Sequence, residues 1–241
     1  MRVRELSVFF PAFNEEANIE RTVANGLEAL RTFGLDRFEV IVVDDGSRDA
    51  TSAIADRLAE QHAEVRVVHH PVNEGYGAAL RTGFASADLD WVFFSDGDGQ
   101  FDLRELAGFL DAAELSDAVV GYRIDRADHL GRKVNTWLWG LLVGVAFRIP
   151  VRDIDCAFKL LSRDVLTRIG PLTSSGAMIS TELLARVHEA GFPIVERGVR
   201  HYPRVGGTPT GASIRVILRA FRELAVLRWE MWRSPGAGTR R

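Results

Sequence analysis

The chain has 241 residues, of which 46% are hydrophobic and 26% charged, and its formal net charge is −3. This composition is that of an ordinary soluble globular protein, and the length suffices for one large α/β domain with a full core. The single cysteine, Cys156, excludes an internal disulfide bond and a cysteine-based metal cluster. No apolar run reaches the roughly 18 residues of a membrane-spanning helix, and no secretory leader is visible, so we expect a cytoplasmic protein.

Charge is unevenly distributed along the chain. Residues 213–241 carry seven arginines and two glutamates, a net charge of +5, which leaves −8 for residues 1–212. We therefore divide the chain into a body, 1–212, and a basic C-terminal helix and tail, 213–241. Apolar and arginine residues form neighbouring stripes over 214–232, a pattern typical of a helix that lies on an anionic bilayer. A helix docked on its own domain or on a dimer partner fits equally well.

Strand and helix patterns alternate over the first half of the chain. Continuous apolar or β-branched runs predict strands buried on both faces, and apolar residues at helical spacing predict helices between them. The predicted strands are 5–10, 38–44, 65–70, 90–95 and 117–122, and the predicted helices are 15–33, 49–61, 77–87 and 102–113. This alternation indicates a mainly parallel sheet with helices on both faces.

Local signals mark some boundaries, and the pattern is less regular after residue 122. Pro11 is expected to stop the first strand, and Asp102 followed by Glu105 predicts a capping box at the start of helix 102–113. The remaining predictions are a charged loop at 123–133, helices at 134–147, 180–190 and 214–232, strands at 157–162 and 193–202, and a loop at 203–213.

Polar or glycine-rich loops follow four of the predicted strands. In chain order they are PAFNEE, DDGSRD, HHPVNEGYG and SDGDGQ. Because ligands bind beyond the carboxyl ends of the strands in open α/β sheets, we expect these four loops to converge on one ligand site. Adjacent residues on a strand point to opposite faces, so His69 and His70 are expected to be structural rather than a metal pair.

Three interpretations compete for the run SDGDGQ, residues 95–100. Gly and Asp are ordinary turn residues, so an acidic turn is the first. An EF-hand calcium loop is excluded, because counting from Asp96 its required Gly and Glu positions hold Phe101 and Ala107. The third is a divalent-metal site for a phosphorylated substrate, since Mg²⁺ and Mn²⁺ take one or two carboxylates plus phosphates. The glycines would then leave room for the metal.

Two other loops carry weaker signals. A carboxylate of the run Asp44 to Ser47 could accept hydrogen bonds from a base or a ribose, or the run could simply cap the following helix. Gly75 and Gly77 precede a helix, where backbone amides bind phosphate well. Neither a P-loop nor a dinucleotide fingerprint is present.

Six segments together resemble a known family. They are FFPAFNEE, VVDDGSRDAT, NEGYGAALRTGF, SDGDGQ, DIDCAFKLLSRDVL and RHYPRVGGTPTG, in this order. They resemble the family 2 glycosyltransferases over about residues 3–225, and among them the polyprenyl-phosphate hexosyltransferases, such as dolichol-phosphate mannose synthases. The resemblance implies a GT-A nucleotide-diphospho-sugar transferase fold for 1–212.

The resemblance also implies roles for individual residues. The implied nucleotide-binding residues are Pro11, Phe13, Glu15, Val43, Asp45, Ser95, Asp96 and Gly97. The implied ligands of Mg²⁺ or Mn²⁺ are Asp96, Asp98 and Gln100, and the implied catalytic set is Asp98 with the phosphate-binding arginines Arg123, Arg132 and Arg204. Relatives often carry tyrosine where this chain has Phe13, so a hydroxyl contact is lost while stacking is kept.

The function implied is inverting, metal-dependent transfer of a hexose from a GDP- or UDP-sugar to a polyprenyl phosphate. The alternative is a soluble or saccharide hydroxyl acceptor, which would need a general base, for which Asp155 and Glu182 are the candidates. A nucleotide-sugar-binding protein without catalysis is a third interpretation, and the intact set of Asp96, Asp98 and Gln100 argues against it.

A lipid acceptor would place the protein at the inner face of the cell membrane. Some relatives continue into transmembrane helices, whereas this chain ends in SPGAGTRR, so we expect peripheral contact or recruitment by a membrane protein. A homodimer is compatible with the sequence, and no nucleic-acid partner is expected.

Overall fold

The computed structural model describes residues 2–124, 149–174, 176, 178–204 and 206 of the chain. Seven strands lie in this part: β1 (Glu5–Ala12), β2 (Arg37–Asp44), β3 (Val65–His69), β4 (Trp91–Ser95), β5 (Ala118–Ile124), β6 (Phe158–Ser162) and β7 (Ile194–Arg200). They form one sheet in the order β3-β2-β1-β4-β6-β5-β7. Every strand predicted within these residues is therefore found.

Helices occupy most of the connections. They are α1 (Ile19–Thr32), α2 (Thr51–Gln61), α3 (Tyr76–Ser86), α4 (Ala107–Ala112) after a 3₁₀ turn at Leu103–Leu106, α5 (Arg163–Ile169) and α6 (Ile179–Glu189). Helix α5 was not among the predicted elements. It is only seven residues long, and the Ser162 hydroxyl caps its start by accepting a hydrogen bond from the Val165 amide.

The sheet is mainly parallel, as predicted. Strands β1 to β4 pair in parallel, and so do β5 and β7, whereas β6 runs antiparallel to both of its neighbours, β4 and β5. Because β6 is reversed, the loop that precedes it lies at the same edge of the sheet as the loops that follow β4 and β5. This edge holds the candidate site described below.

Phenylalanines on β1 fix helices to the two faces of the sheet. Phe9 and Phe10 are adjacent and fully buried, so their rings point to opposite faces. Phe9 packs edge-on against Phe84 of α3 with centroids 5.1 Å apart, and Phe10 lies beside Gly26 of α1. Helix α1 buries the predicted stripe that runs from Ile19 to Leu30. The prediction of helices on both faces is thus confirmed.

Two predicted boundary signals were wrong. Pro11 does not stop β1, which continues to Ala12. The Pro11 carbonyl accepts from the Gly97 amide, so the backbone of Pro11 faces the β4 side. The paired register of β1 and β4 ends at Phe9 and Phe94, before the proline. The capping box also fails to form.

In place of the capping box, two separate contacts hold the start of the 3₁₀ turn. Asp102 accepts from the Arg104 amide. The Glu105 carboxylate accepts from the Arg200 amide at the end of β7, at 3.1 Å.

Some predictions fall outside the described residues: the helices at 134–147 and 214–232, the C-terminal segment 213–241, and most of the loops at 123–133 and 203–213. Among the helices that are described, none combines the length and the apolar character needed to cross a bilayer.

The contact between α3 and β1 depends on a missing side chain. A Cβ at Gly83 would lie 2.3 Å from Phe9 Cδ2, whereas a Cβ at Gly108 in α4 would meet nothing within 4 Å. We predict that Gly83→Ala destabilises the fold by about 1–3 kcal/mol through overpacking. The matched control Gly108→Ala should stabilise it by about 0.5–1 kcal/mol, because alanine is the better helix former. Equal midpoints of urea unfolding for the two variants would contradict this packing.

Candidate active site

The candidate site lies where the order of the strands changes direction. From β1 the chain goes to β2 on one side and later to β4 on the other, which makes the β1–β4 boundary a topological switch point. The loops after these strands touch here. The Asp45 amide donates to the Ala12 carbonyl at 2.9 Å, and the Gly97 amide donates to the Pro11 carbonyl at 3.2 Å. The predicted convergence of loops is therefore found.

Reciprocal hydrogen bonds tie the loop after β1 to the loop after β2. The Asn14 amide donates to Ser47 Oγ at 3.0 Å, and the Asn14 side-chain oxygen accepts from the Arg48 amide at 2.8 Å. The Glu15 amide adds a buried bond to Thr51 Oγ1 at 2.8 Å. These bonds fix the backbone around Phe13 and Glu15, two of the predicted nucleotide-binding residues.

Asp45 organises the glycine-rich loop that leads into α3. Its Oδ1 contacts His70 Nδ1 at 2.7 Å and the Glu74 amide at 2.9 Å, and its Oδ2 accepts from Asn73 Nδ2 at 3.0 Å and the Gly75 amide at 2.9 Å. These four partners match the roughly four acceptor positions of a carboxylate. Asp45 therefore positions the loop beside the predicted nucleotide site.

Two carboxylates, Asp96 and Asp98, form the centre of the site after β4. Tyr76 donates its hydroxyl to Asp96 Oδ1 at 3.0 Å. Asp98 Oδ1 accepts from the Gln100 amide at 3.1 Å, which closes a tight turn. Tyr76 stands between the two glycines of NEGYG, so the loop that Asp45 holds also reaches Asp96.

The carboxylates repel each other in a partly dehydrated place. Burial, followed by the negative charge of Asp98, raises the pKa of Asp96 to about 7. The hydrogen bond from Tyr76 and the positive charges of Arg123 and Lys159 act in the opposite direction but do not cancel the rise. This centre therefore favours the approach of further positive charge.

The glycines of SDGDGQ shape the turn itself, so room for a metal is not their only purpose. A Cβ at Gly97 would lie 2.9 Å from the Pro11 carbonyl oxygen, and Gly99 has a φ of +72°. Both positions are closed to ordinary side chains by the backbone of the chain.

Arg204 bridges two acidic residues from different loops. Its guanidinium contacts Glu15 Oε1, lies 3.8 Å from Asp98 Oδ2 and donates from Nε to the Gly206 carbonyl at 2.7 Å. Burial raises the pKa of Glu15, although bonds from Asn18 and Arg204 oppose that rise. Arg204 thus joins the end of the described chain to the predicted nucleotide-binding loop.

Gln100 fastens the segment that carries Arg204. Its Nε2 donates to the Tyr202 carbonyl at 2.8 Å, and its own carbonyl accepts from the Tyr202 amide at 2.9 Å. Because the amide nitrogen is used in this way, the amide oxygen is the part of the Gln100 side chain that could serve as a metal ligand.

Arg123 enters the site from the end of β5 in a fixed orientation. Asp153 holds it bidentately, with 2.7 Å from Arg123 Nε and 2.8 Å from Nη2 to the two carboxylate oxygens. The Arg123 side chain is 16% exposed and that of Asp153 is 7% exposed, so water competes little with this pair. Asp153 lies in the loop before β6.

Lys159 is a fully buried cation behind the two carboxylates. It lies in β6, paired with Phe94 of β4 and Val120 of β5. Its ammonium donates to the carbonyls of Ile154, at 3.0 Å, and Cys156. Burial lowers the pKa of Lys159. Cys156, Asp153 and Asp155 of the loop before β6 act in the opposite direction and raise it.

The two candidate general bases occupy different environments. Glu182 in α6 is fully buried. Its carboxylate oxygens accept from the backbone amides of Thr173 and Ser174, and Arg186 Nη2 lies 2.6 Å from Glu182 Oε1. Burial would raise the pKa of Glu182, but these partners hold it below its usual range. Glu182 is therefore a structural anchor of the 173–174 loop, whereas Asp155 is exposed on the loop before β6.

The residues present suit a hard divalent cation shared with a phosphate ligand. Within the described residues, no group of three or more His, Cys, Asp and Glu side chains could hold a metal ion by itself. Asp96 and Asp98 supply oxygen ligands and an excess of negative charge. Mg²⁺ and Mn²⁺ bind in this way, through one or two carboxylates and the phosphates of a substrate.

The structure brings most of the predicted site residues to one edge of the sheet. Pro11, Val43 and Ser95 are buried at the ends of their strands, and Phe13 is half-buried in the loop after β1. The Ser95 hydroxyl has no hydrogen-bond partner among the described residues. Arg132 lies outside them.

Sequence reasoning missed several supporting residues. Tyr76 and Asp153 contact the predicted site residues Asp96 and Arg123, and Lys159 is bonded to the loop that follows Asp153. A lysine within the apolar run AFKLLS was the available signal for Lys159, since a charged residue in a buried strand requires polar partners.

The family model described as Glycosyl transferase family 2 matches residues 7–183. The chain belongs to this family.

Individual proteins agree with the family assignment. The chain is 34% identical over 239 residues to the glycosyltransferase AglD of Haloferax volcanii, covering 96% of this chain and 38% of AglD. It is 29% identical to the polyprenol monophosphomannose synthase of Mycolicibacterium smegmatis, covering 86% of this chain and 82% of the synthase.

Among solved structures, glucosyl-3-phosphoglycerate synthase from Mycobacterium tuberculosis, in complex with Mn²⁺, UDP and glucosyl-3-phosphoglycerate, is similar with a TM-score of 0.67 and 26% identity. The match covers 98% of this chain and 82% of that one. The GT-A fold expected from the sequence is thus confirmed.

The environment of Glu182 generates a stability prediction. Glu182→Gln should destabilise the fold by about 3 kcal/mol near neutral pH, because Arg186 and two backbone amides lose a buried anion. The folded-state pKa of Glu182 is depressed, so its contribution is present above the usual glutamate pKa and is lost as pH falls through the folded value. The gap between wild type and variant should therefore narrow on acidification below about pH 4.

Urea unfolding at several pH values measures this gap. The exposed Glu60→Gln is the control and should stay within about 0.5 kcal/mol of wild type at each pH. A gap for Glu182→Gln that widens on acidification would reject the assigned anchoring role.

Proposed function

We propose that this chain transfers a hexose, with inversion, from a nucleoside diphosphate sugar to a polyprenyl phosphate. The observation that carries the proposal is the meeting of Asp96 and Asp98 with Arg204 and Arg123 at the switch point of a family 2 glycosyltransferase. Carboxylates for a metal and arginines for phosphates are the two components that a diphosphate leaving group requires.

The donor nucleotide would lie across the ends of β1, β2 and β4. Phe13, which is half-buried, would offer apolar surface to the base, and the buried Pro11 and Val43 would support that surface. The glycine-rich loop that Asp45 holds would offer polar backbone groups. Glu15, Ser95 and Gly97 would border the ribose and the diphosphate. The bonds between the first two loops support this role, because they fix the backbone around Phe13 and Glu15.

Asp96 and Asp98, with the Gln100 amide oxygen, would hold Mg²⁺ or Mn²⁺. When bound, this ion supplies charge neutralisation for the departing diphosphate. The structural relative named above was solved with Mn²⁺ and UDP, which supports a divalent metal and a nucleoside diphosphate in this class of site. Arg204 would then exchange its contact with Asp98 for a phosphate oxygen.

The acceptor would approach from the side of β5 and β6. Arg123 and Arg132 would orient its phosphate, an anionic oxygen of which attacks the anomeric carbon as the bond to the nucleoside diphosphate breaks. Such an oxygen needs no strong general base. The burial of Glu182 agrees with this, as do the names of relatives such as polyprenol monophosphomannose synthase.

A lipid acceptor would bring the protein to the inner face of the cell membrane. The basic segment 213–241 is the part of the sequence suited to an anionic surface, either directly or through a membrane partner.

Replacing one metal ligand tests the donor site. Asp98→Asn should reduce hexose transfer by at least about 1,000-fold, the scale of losing one charge-stabilising group, and should abolish metal-dependent binding of the donor in calorimetry. GDP-mannose, UDP-glucose and UDP-N-acetylglucosamine are the donors to titrate, each with and without Mn²⁺. Asp111→Asn, on the exposed face of α4, is the matched control and should behave as wild type. Full activity of Asp98→Asn would disprove the metal assignment.

The identity of the acceptor is tested in transfer assays that use the donor found to bind by calorimetry. Transfer of radiolabelled hexose should occur to a short-chain polyprenyl phosphate and should be absent with the corresponding polyprenol, because the phosphate is the nucleophile. 3-Phosphoglycerate is the competing acceptor, suggested by the solved structural relative. Transfer to 3-phosphoglycerate alone would replace the lipid acceptor with a soluble hydroxyl acceptor and would direct attention to Asp155 as base.

A further inference from the structure

We propose that Lys159 is a positioning residue for sugar transfer: its buried ammonium holds the 153–156 loop so that Asp153 presents Arg123 to the acceptor side of the site. Its relevance to transfer rests on the function proposed above. The link between Lys159 and Arg123 can be tested without it.

The first step concerns the cost of placing a cation in β6. Lys159 is 0% exposed and belongs to a strand with neighbours on both sides, β4 and β5. An ammonium removed from water is strongly destabilising unless its donors are satisfied. An apolar residue would fill this strand position at lower cost, as Leu161 does two residues further along on the same face.

The second step is where the donors go. Two of them reach backbone carbonyls of one short loop, Ile154 at 3.0 Å and Cys156. The ammonium also lies 5.6 Å from the centre of the Phe94 ring, which favours a cation at its face. One side chain therefore fastens the loop to the middle of the sheet.

The third step is what this loop does. Asp153, directly before Ile154, holds Arg123 through both carboxylate oxygens and also accepts from the Arg123 amide at 3.3 Å. Nε and Nη2 of Arg123 are thus used for orientation, and Nη1 is the part of the guanidinium directed elsewhere. If the loop loses its attachment to Lys159, the Asp153 carboxylate and the guanidinium lose their common geometry.

Direct observation of the Arg123 side chain tests the link. In a ¹⁵N-edited proton spectrum, the Nε–H of Arg123 is assigned as the signal that Arg123→Lys removes. Because this N–H donates to Asp153 at 2.7 Å and the Arg123 side chain is only 16% exposed, it should exchange slowly with solvent in the wild type. Lys159→Met should shift the signal and accelerate its exchange at least tenfold.

Leu161→Ala is the matched control, because it removes buried volume from the same face of β6 without touching the loop. It should leave the Arg123 signal and its exchange rate unchanged. An unchanged signal in Lys159→Met, or an equal change in both variants, would overturn the proposal. If circular dichroism shows Lys159→Met to be unfolded, Lys159→Gln replaces it, since glutamine keeps an N–H donor but has no charge. The Arg123 signal of Lys159→Gln is then compared with that of Leu161→Ala, and the same outcomes support or overturn the proposal.

Activity then tests the consequence for transfer. Lys159→Met should lower kcat for polyprenyl phosphate at least 100-fold with little change in the KM for the donor. In the Arg123→Ala background it should have less than a threefold effect, because it acts through Arg123. Multiplicative effects of the two substitutions would overturn the proposed route. An inactive wild type would instead contradict the proposed function, while the Arg123 signal would still decide the role of Lys159.

Discussion

The repulsion between Asp96 and Asp98 is the constraint around which the rest of the site is built. Two carboxylates at the end of a buried strand are unfavourable by themselves. The surrounding residues each offset this cost in a different way. Tyr76 donates a hydrogen bond, Arg204 lies against Asp98, and Lys159 supplies positive charge from within the sheet. None of these contacts cancels the rise in the pKa of Asp96, so the two carboxylates favour a cation beside them.

Attachments between loops make this arrangement possible. The loop after β1 is bonded to the loop after β2, Asp45 holds the loop before α3, and Gln100 holds the segment that carries Arg204. Each attachment joins residues distant in sequence, and each ends at the carboxyl edge of the parallel strands. The strand order explains why these attachments meet at one edge, because the switch point between β1 and β4 brings loops of separate βα units side by side.

The strands, the longer helices and the sheet edge where the polar loops meet could be predicted from the sequence. The strands and helices follow from local periodicity, and the edge follows from the parallel arrangement of the strands. What could not be predicted depends on distant partners. Pro11 lies just beyond the paired register of β1 and β4, and the Glu105 carboxylate accepts from the Arg200 amide of β7 instead of completing a capping box. The sequence predicted the strand that carries Lys159 but assigned no role to this residue. Its burial follows from the position of β6 between two neighbours, which the local pattern does not encode.

The reversal of β6 also separates the molecule into two independently variable parts. The proposed nucleotide side is made by loops that leave β1, β2 and β4, whereas the side of Arg123 includes a loop that enters β6 and is bonded there to Lys159. Changes of length or composition in the entering loop leave the register of the nucleotide side untouched. If the proposed function holds, a scaffold of this kind would allow acceptor preference to diversify during evolution while the handling of the donor stays the same.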